Sequence, residues 1–378
     1  MKQYLNLLKE IKEKGTWKEP AREGMPRTLS LFGHQMRFNL QDGFPLVTTK
    51  KVSFKNIVLE LLWIISGNTN IKYLVDNGCN IWSEDGYGYY LKIVKKQGLS
   101  NDKAEPLSFD SFIKLIKENN TSFDEDYTLG DCGNIYGKLW RSWESHKKWK
   151  GGVDHYNKRV DQFKDLIKGL KSNPMSRRHI ITAWNPGTLD DMALNTCHTF
   201  VQFNCREISH HERCNLFGKF DDINRKESYS EWLDKQGFPK YYLDCKFTMR
   251  SNDAVLGNCY NVASYALLTH IIAEVCNMEV GDLIADLGDV HIYESHLPAV
   301  EEQLQREPRE LPKLNINTEF WKTESDVCGV GLIDSDSFIN NLKNDYFLRC
   351  LLEEDIQLSN YNPHPKLENE TKLFTGLK

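Results

Sequence analysis

Residues 1–14 repeat their apolar positions at helical spacing, with mixed charge on the other face, and the pattern stops at Gly15. From Thr28 to Leu40, "TLSLFGHQMRFNL" alternates apolar and polar positions, which predicts half-buried strand, and Gly43-Phe44-Pro45 marks a turn before "LVTTKKV". The run "FKNIVLELLWIISG" is long and apolar enough for a buried helix closed by Gly67. Glu60 lies inside it, and a carboxylate on an apolar helix must be paired, hydrated or used. "HTFVQFNC" and "YYLDCKFTMRS" predict a strand pair, and "NVASYALLTHIIAEVCNM", Asn261 to Met278, predicts an apolar helix that ends before "EVGDL". Two polar stretches interrupt this scheme and read as insertions: one near 86–129, around the amphipathic piece "FDSFIKLIKEN", and one near 206–240. There is no internal repeat and no low-complexity segment.

Composition narrows the class. With 378 residues, 40% hydrophobic and 27% charged, the chain has material for a large core and reads as an ordinary globular protein. No apolar run reaches membrane-spanning length, since even "IVLELLWIISG" contains Glu60 and stops at glycine. The start lacks a signal peptide's apolar centre, so the expected location is the cytoplasm, with no membrane partner. A net charge of -5 argues against a nucleic-acid partner, because backbone binding relies on concentrated Lys and Arg. Ten scattered cysteines do not form a small-domain disulfide framework, and a cytosolic setting keeps them reduced and available.

One thiol stands beside a histidine, in "MALNTCHTFVQF" from Met192 to Phe203. Taken alone, Cys197 is either a buried sulfur or a nucleophile. The group Cys205, His210, His211 and Cys214 suggests zinc, but its C-x4-H-H-x2-C spacing matches no standard finger. A polar loop without a metal is the expectation there.

Nine segments resemble the thymidylate synthase family, which includes folate-dependent pyrimidine nucleotide hydroxymethylases. In chain order they are "TLSLFGHQMRFNLQDGFPLVTTKK", "ELLWIISGNTNIKYL", "NIW", "GNIYGKLWRSW", "NPMSRRHIITAWNPGTLDDMAL", "CHTFVQF", "RSNDAVLGNCYNVASYALL", "GDVHIYESH" and "LQREPRELPKL". The resemblance implies an α+β fold, with a large mixed or antiparallel sheet, flanking helices and a homodimer packed sheet to sheet. It also implies a single catalytic domain over 1–378 that takes dUMP and a reduced folate, 5,10-methylenetetrahydrofolate.

The resemblance makes Cys197 the nucleophile. A pyrimidine is inert at C5 until a soft nucleophile adds at C6, and a thiolate with a lowered pKa among arginines suits that step. The implied phosphate anchors are Arg22, Arg250 and Ser251 from one subunit, with Arg177 and Arg178 from the other; Arg suits phosphate because it binds bidentately. Arg22 sits in "AREGMPRTLS", which departs from the family's Gly-Thr-rich loop. Asn261 is the implied base reader, since one amide can accept from uracil N3-H and donate to O4. Cytosine reverses both edges, and the family's cytosine-specific members carry Asp there. A helix-start Asn acting as a cap is the bland alternative. His291 and Tyr293 would bond the sugar 3'-hydroxyl, with alternating outward polar residues on a strand as the bland alternative. Glu60 resembles the general acid/base, its pKa raised by burial, with Tyr136 and His198 extending the proton network. Asp253 and Trp82 resemble contacts to the pterin ring, and Gly257 leaves the cofactor room to approach.

Two products follow methylene transfer: hydride from the folate gives dTMP, and water gives 5-hydroxymethyl-dUMP. A dry site suppresses the water route. Asn195-Thr196 before the nucleophile, Asp85 after Trp82, and the long polar ending "KLENETKLFTGLK" each add polarity, which favours a dUMP hydroxymethylase of the kind phages use, acting in a host cytoplasm. Trp82 and Leu194 favour thymidylate synthase, the alternative. A nucleotide-binding relative without turnover is the third reading.

Overall fold

The computed structural model describes residues 1–20, 24–96, 105–119, 121, 127–148, 155–217, 229–318, 334–344, 347–348, 351 and 355–367. A helix, α1 (Lys2–Lys14), is followed by strands β1 (Thr16–Lys18) and β2 (Thr28–Asn39). Helices α2 (Phe54–Ser66), α3 (Lys72–Asp76), α4 (Ser83–Lys96), α5 (Phe109–Lys117) and α6 (Tyr136–Arg141) come next. The hairpin β3 (Trp143–Lys148) and β4 (His155–Val160) leads into α7 (Gln162–Ser172), β5 (Ile180–Thr182) and β6 (His198–Glu207). After α8 (His210–Phe217) and α9 (Tyr229–Lys235) the chain runs through β7 (Tyr241–Asp253), α10 (Gly257–Cys276), β8 (Glu279–Tyr293) and α11 (Leu297–Leu304). It closes with β9 (Lys313–Ile316), α12 (Ser335–Asn341) and β10 (Ile356–Ser359).

Six strands form one sheet in the order β1-β2-β8-β7-β6-β5. Every pair is antiparallel except β7 with β8, which α10 joins as the crossover that a parallel pair requires. The expected mixed sheet with flanking helices is therefore present. Leu243, Cys245, Phe247 and Met249 of β7 and Leu283, Ala285 and Leu287 of β8 turn toward α10 and are buried, while Asp244, Lys246, Asp282 and Asp286 alternate onto the other face. Burying each large apolar side chain stabilises the fold by roughly 1.5–3 kcal/mol.

Helix α2 starts where the Ser53 hydroxyl accepts from the Asn56 N–H, and it ends at Gly67, whose φ of 84° is left-handed. A Cβ at Gly67 would come within 2.9 Å of the Arg141 side chain, so glycine meets two demands there.

The structure differs from the pattern reading in three places. Helix α10 begins at Gly257, four residues before Asn261, and Asp253 Oδ1 accepts from the Val255 and Leu256 N–H groups at its entry. Asn261 thus lies within the helix, and the capping alternative falls. The 15-residue β8 has a counterpart in the pattern reading only at its end, around His291 and Tyr293, because its acidic residues conceal the rest of its alternation. Those residues pair across the sheet: Asp282 with Arg37 at 2.7 Å, Asp286 with Lys246 at 2.9 Å, and Asp289 with Lys18. The two polar stretches are also partly helical, with most of α4 and all of α5 in the first and α8 and α9 in the second. No helix among the described residues is long and apolar enough to cross a membrane.

Residues 361–367 fold back over the 46–52 segment. The Tyr361 hydroxyl donates to the Val47 carbonyl at 2.9 Å and accepts from the Val52 N–H at 3.1 Å. The His364 N–H reaches the Thr48 carbonyl at 2.8 Å, and Arg306 bonds the Pro365 carbonyl at 2.7 Å. Most of the polar ending, residues 368–378, lies outside the described residues.

Candidate active site

Cys197 sits at the mouth of β6, where the register with β7 slips between His198 and Phe200. Its N–H donates to the Tyr136 hydroxyl at 2.8 Å, and its carbonyl accepts from the Arg250 N–H at 2.9 Å. The Arg250 guanidinium holds the same loop, donating to the carbonyls of Thr196 and Asn195 at 2.9 Å each. Its Nη2 lies 3.7 Å from the Cys197 Sγ. Arg250 is thus both a clamp on the thiol loop and the cation nearest the sulfur among the described residues.

The thiol's charge balance departs from expectation. Burial pushes the Cys197 pKa up, Arg250 opposes that, and Asp85 adds to it, with a net upward result. The lowered pKa expected from surrounding arginines is therefore not built within one chain. Arg177 and Arg178 are exposed on the loop between α7 and β5, and neither guanidinium has a partner among the described residues. Arg22 lies outside the described residues. Ser251 is half-buried on β7, opposite Asp289 of β8.

Glu60 projects from α2 toward the same region. Its Oε1 accepts from the Trp82 indole N–H at 2.8 Å. Burial raises the Glu60 pKa, and the indole hydrogen bond opposes the rise. Trp82 packs on Trp63 with ring centres 5.2 Å apart and meets Tyr136 edge-on at 6.1 Å. The Tyr136 ring in turn lies 4.9 Å from His198. Glu60, Trp82, Tyr136, His198 and Cys197 therefore form one continuous array, which the structure assembles from four separate parts of the sequence.

His198 does more than adjoin the thiol. Burial lowers its pKa to about 4, so the ring is neutral near pH 7. Its Nε2 lies 2.9 Å from Asn261 Nδ2, and its Nδ1 lies 3.3 Å from the Tyr265 hydroxyl. A neutral ring that accepts at Nε2 carries its proton on Nδ1. Sequence reasoning missed Tyr265, and it missed Asn252 and Asn258, which lie behind Asn261. The available signal was the presence of two amides in segments otherwise made for burial.

Parallel pairing places Asp253 of β7 opposite His291 of β8. His291 is buried, its Nδ1 lies 3.2 Å from Asp289 Oδ1, and Tyr293 meets it edge-on at 5.1 Å. Asp253 spends Oδ1 on the entry of α10, whereas its buried Oδ2 has no hydrogen-bond partner among the described residues. An unused buried carboxylate oxygen fits a ligand that presents N–H donors, as a pterin does. A Cβ at Gly257 would lie 3.5 Å from Asn261 Oδ1, so the protein itself tolerates a side chain there and the glycine leaves open space. Leu194 is half-buried and packs against the core.

Of the polar departures, the residue directly before the thiol is absorbed by the fold. Thr196 is fully buried, and its hydroxyl donates to the Ala183 carbonyl at 2.8 Å. Asn195 is exposed, while its carbonyl is held by Arg250. Asp85 is buried in α4. Cys205, on β6 just before the 206–240 stretch, is buried with its sulfur 3.7 Å from Met278 Sδ, whereas within the stretch His210 contacts Cys214 at 3.7 Å and Ser230 at 2.8 Å. Among the described residues, no three His, Cys, Asp or Glu side chains gather as a metal site.

A model of the thymidylate synthase family matches residues 2–373. The chain is 37% identical over 375 residues to a thymidylate synthase of Staphylococcus haemolyticus (strain JCSC1435), covering 97% of this chain and 96% of the relative. It is 39% identical over 324 residues to thymidylate synthases of Listeria innocua and Listeria monocytogenes, covering 83% of this chain and 89% of each.

Proposed function

The chain belongs to the thymidylate synthase family and is a one-carbon transferase of dUMP; from that premise we propose that its product is dTMP. Sequence reading alone put hydroxymethylation first. The named relatives favour the alternative, and the buried Thr196 hydroxyl, which donates to the Ala183 carbonyl, weakens one part of the polarity argument behind the first reading. The observation that carries the proposal is the continuous array from Glu60 through Trp82 and Tyr136 to Cys197, beside the Arg250 clamp.

Bound 5,10-methylenetetrahydrofolate supplies the one-carbon unit and the hydride. Cys197 Sγ bonds to C6 of dUMP, and the C5–C6 electron pair moves toward C5 and O4, making C5 nucleophilic. Arg250 and Ser251, with Arg22, take the phosphate; Arg177 and Arg178 of a second copy complete it in a homodimer. These added cations offset the burial that raises the thiol's pKa in the isolated chain. Asn261 reads the uracil edge, and His291 with Tyr293 holds the sugar hydroxyl. Glu60, with its raised pKa, exchanges a proton near O4 through water, while Tyr136 fixes the backbone of the nucleophile. Asp253 Oδ2 accepts from the pterin, and Trp82 and Leu194 provide apolar contact that keeps water from the reacting carbon.

Incubation with dUMP and methylenetetrahydrofolate tests the product. Dihydrofolate should form one for one with dUMP consumed, and nucleotide mass should show a methyl group. Tetrahydrofolate together with 5-hydroxymethyl-dUMP would restore the hydroxymethylase reading.

A further inference from the structure

Behind Asn261 runs a chain of amides with a direction. Asn258 Nδ2 donates to Asn252 Oδ1 at 2.8 Å, Asn252 Nδ2 donates to Asn261 Oδ1 at 3.1 Å, and Asn261 Nδ2 donates to His198 Nε2 at 2.9 Å. Asn252 and Asn258 are 2% and 1% exposed, so neither can exchange its partners for water. One amide cannot turn alone, because oxygen would then face oxygen on one side and nitrogen would face nitrogen on the other. The chain has only two consistent senses, the one observed and its complete reversal. In the reversal, Asn261 Oδ1 faces His198, whose proton must then sit on Nε2.

Met249 breaks the tie. Its thioether lies 3.2 Å from Asn252 Nδ2, and a thioether sulfur accepts weakly but donates nothing. It therefore favours an N–H at that position. Asn261 is only half-buried, and in the observed sense its Oδ1 keeps a second lone pair while its Nδ2 keeps a second hydrogen. Those valencies match uracil N3–H and O4. In the reversed sense they are exchanged and match cytosine.

We propose that Asn252, held by Asn258 and Met249, is a positioning residue that sets the direction of the Asn261 amide and so determines the preference for uracil over cytosine. The proposal rests on Asn261 being the base reader.

The test is Asn252→Asp in the full-length protein, with equilibrium binding of dUMP and dCMP measured from mildly acidic to mildly alkaline pH. A protonated carboxyl can still donate to Asn261 Oδ1, whereas the ionised form only accepts and forces the amide to turn. The dUMP-over-dCMP affinity ratio should therefore fall by about tenfold or more as pH rises in this variant, and stay level in the wild type. Loss of stability alone does not give a pH-dependent base preference. Should the carboxylate prevent folding, Asn252→Leu removes the donor without a charge, and its ratio should be lowered equally at every pH. If the folded variants keep the wild-type ratio throughout, the proposal is overturned. Asn261→Asp, run in parallel, separates the two levels. A changed ratio there with unchanged Asn252 variants removes only the amide chain, while no change in any variant removes base reading by Asn261 as well.

Discussion

Replacing Trp82 with Phe deletes one donor from the array and leaves an aromatic ring in place. The indole N–H reaches Glu60 Oε1 at 2.8 Å, and the ring is almost wholly buried. A hydrogen bond to an ionised carboxylate contributes ~1.5–3 kcal/mol and a neutral one ~0.5–1.5 kcal/mol, so the donor favours ionised Glu60 by roughly 1–1.5 kcal/mol. That equals about one pKa unit, and its loss moves the Glu60 pKa further up. Burial already holds this pKa above its unfolded value, so the folded state binds more protons in the window between the two. In that window stability falls as pH rises, and Trp82→Phe extends the fall to higher pH. Urea unfolding at one fixed protein concentration, repeated from mildly acidic to mildly alkaline pH, measures this directly. Lost contact with Trp63 adds a constant penalty at every pH. The hydrogen bond adds a further loss of about 1 kcal/mol on the alkaline side only. In a Glu60→Gln background the pH-dependent part must vanish. A penalty that is flat with pH, or larger in acid, would refute the assignment of the indole N–H to an ionisable Glu60.

Cys197→Ala should abolish product formation while dUMP binding stays within about tenfold, or ~1.4 kcal/mol; turnover by this variant would remove Cys197 from the mechanism. His198 should show no titration near its ordinary range in a ring-proton NMR series, because burial lowers its pKa to about 4. Between the unfolded value and that one the unfolded chain binds more protons, so His198 contributes a loss of stability as pH falls, and a midpoint near neutrality would contradict its burial. Tyr361→Phe leaves the buried side of the Val52 N–H unsatisfied and should cost ~1–3 kcal/mol in urea unfolding; an unchanged midpoint would mean that water replaces the hydroxyl.

The elements easiest to read were those in which one physical demand dominates. Helix α2 announces itself by an apolar run closed by Gly67, and β6 and β7 by alternation. Strand β8 was hidden because Asp282, Asp286 and Asp289 look like loop residues until Arg37 and Lys246 on the neighbouring strands and Lys18 on β1, one strand further out, are placed within reach of them. Motif resemblance supplied the principal candidate residues. It supplied none of the support behind them, because the roles of Asn252, Asn258 and Tyr265 depend on contacts between elements that leave no local spacing. The upward shift of the Cys197 pKa within one chain was not legible for a related reason: burial is a property of the assembled fold, whereas nearby arginines can be counted in a string.

The Tyr361 clasp has a consequence in time. It joins residues 314 positions apart, and a ribosome working at about 5–20 residues per second takes on the order of 15–60 s to make that length. Throughout that interval the Val47 carbonyl and Val52 N–H must wait for a partner not yet synthesised. Lys50 in the same stretch donates to the Val255 carbonyl at 2.8 Å, in the turn that carries Asp253, so the delay extends to the site's far wall. A nascent chain can therefore display Cys197, Glu60 and Asn261 well before it has the tyrosine that fastens their surroundings, and catalytic competence becomes one of the last properties the growing polypeptide acquires.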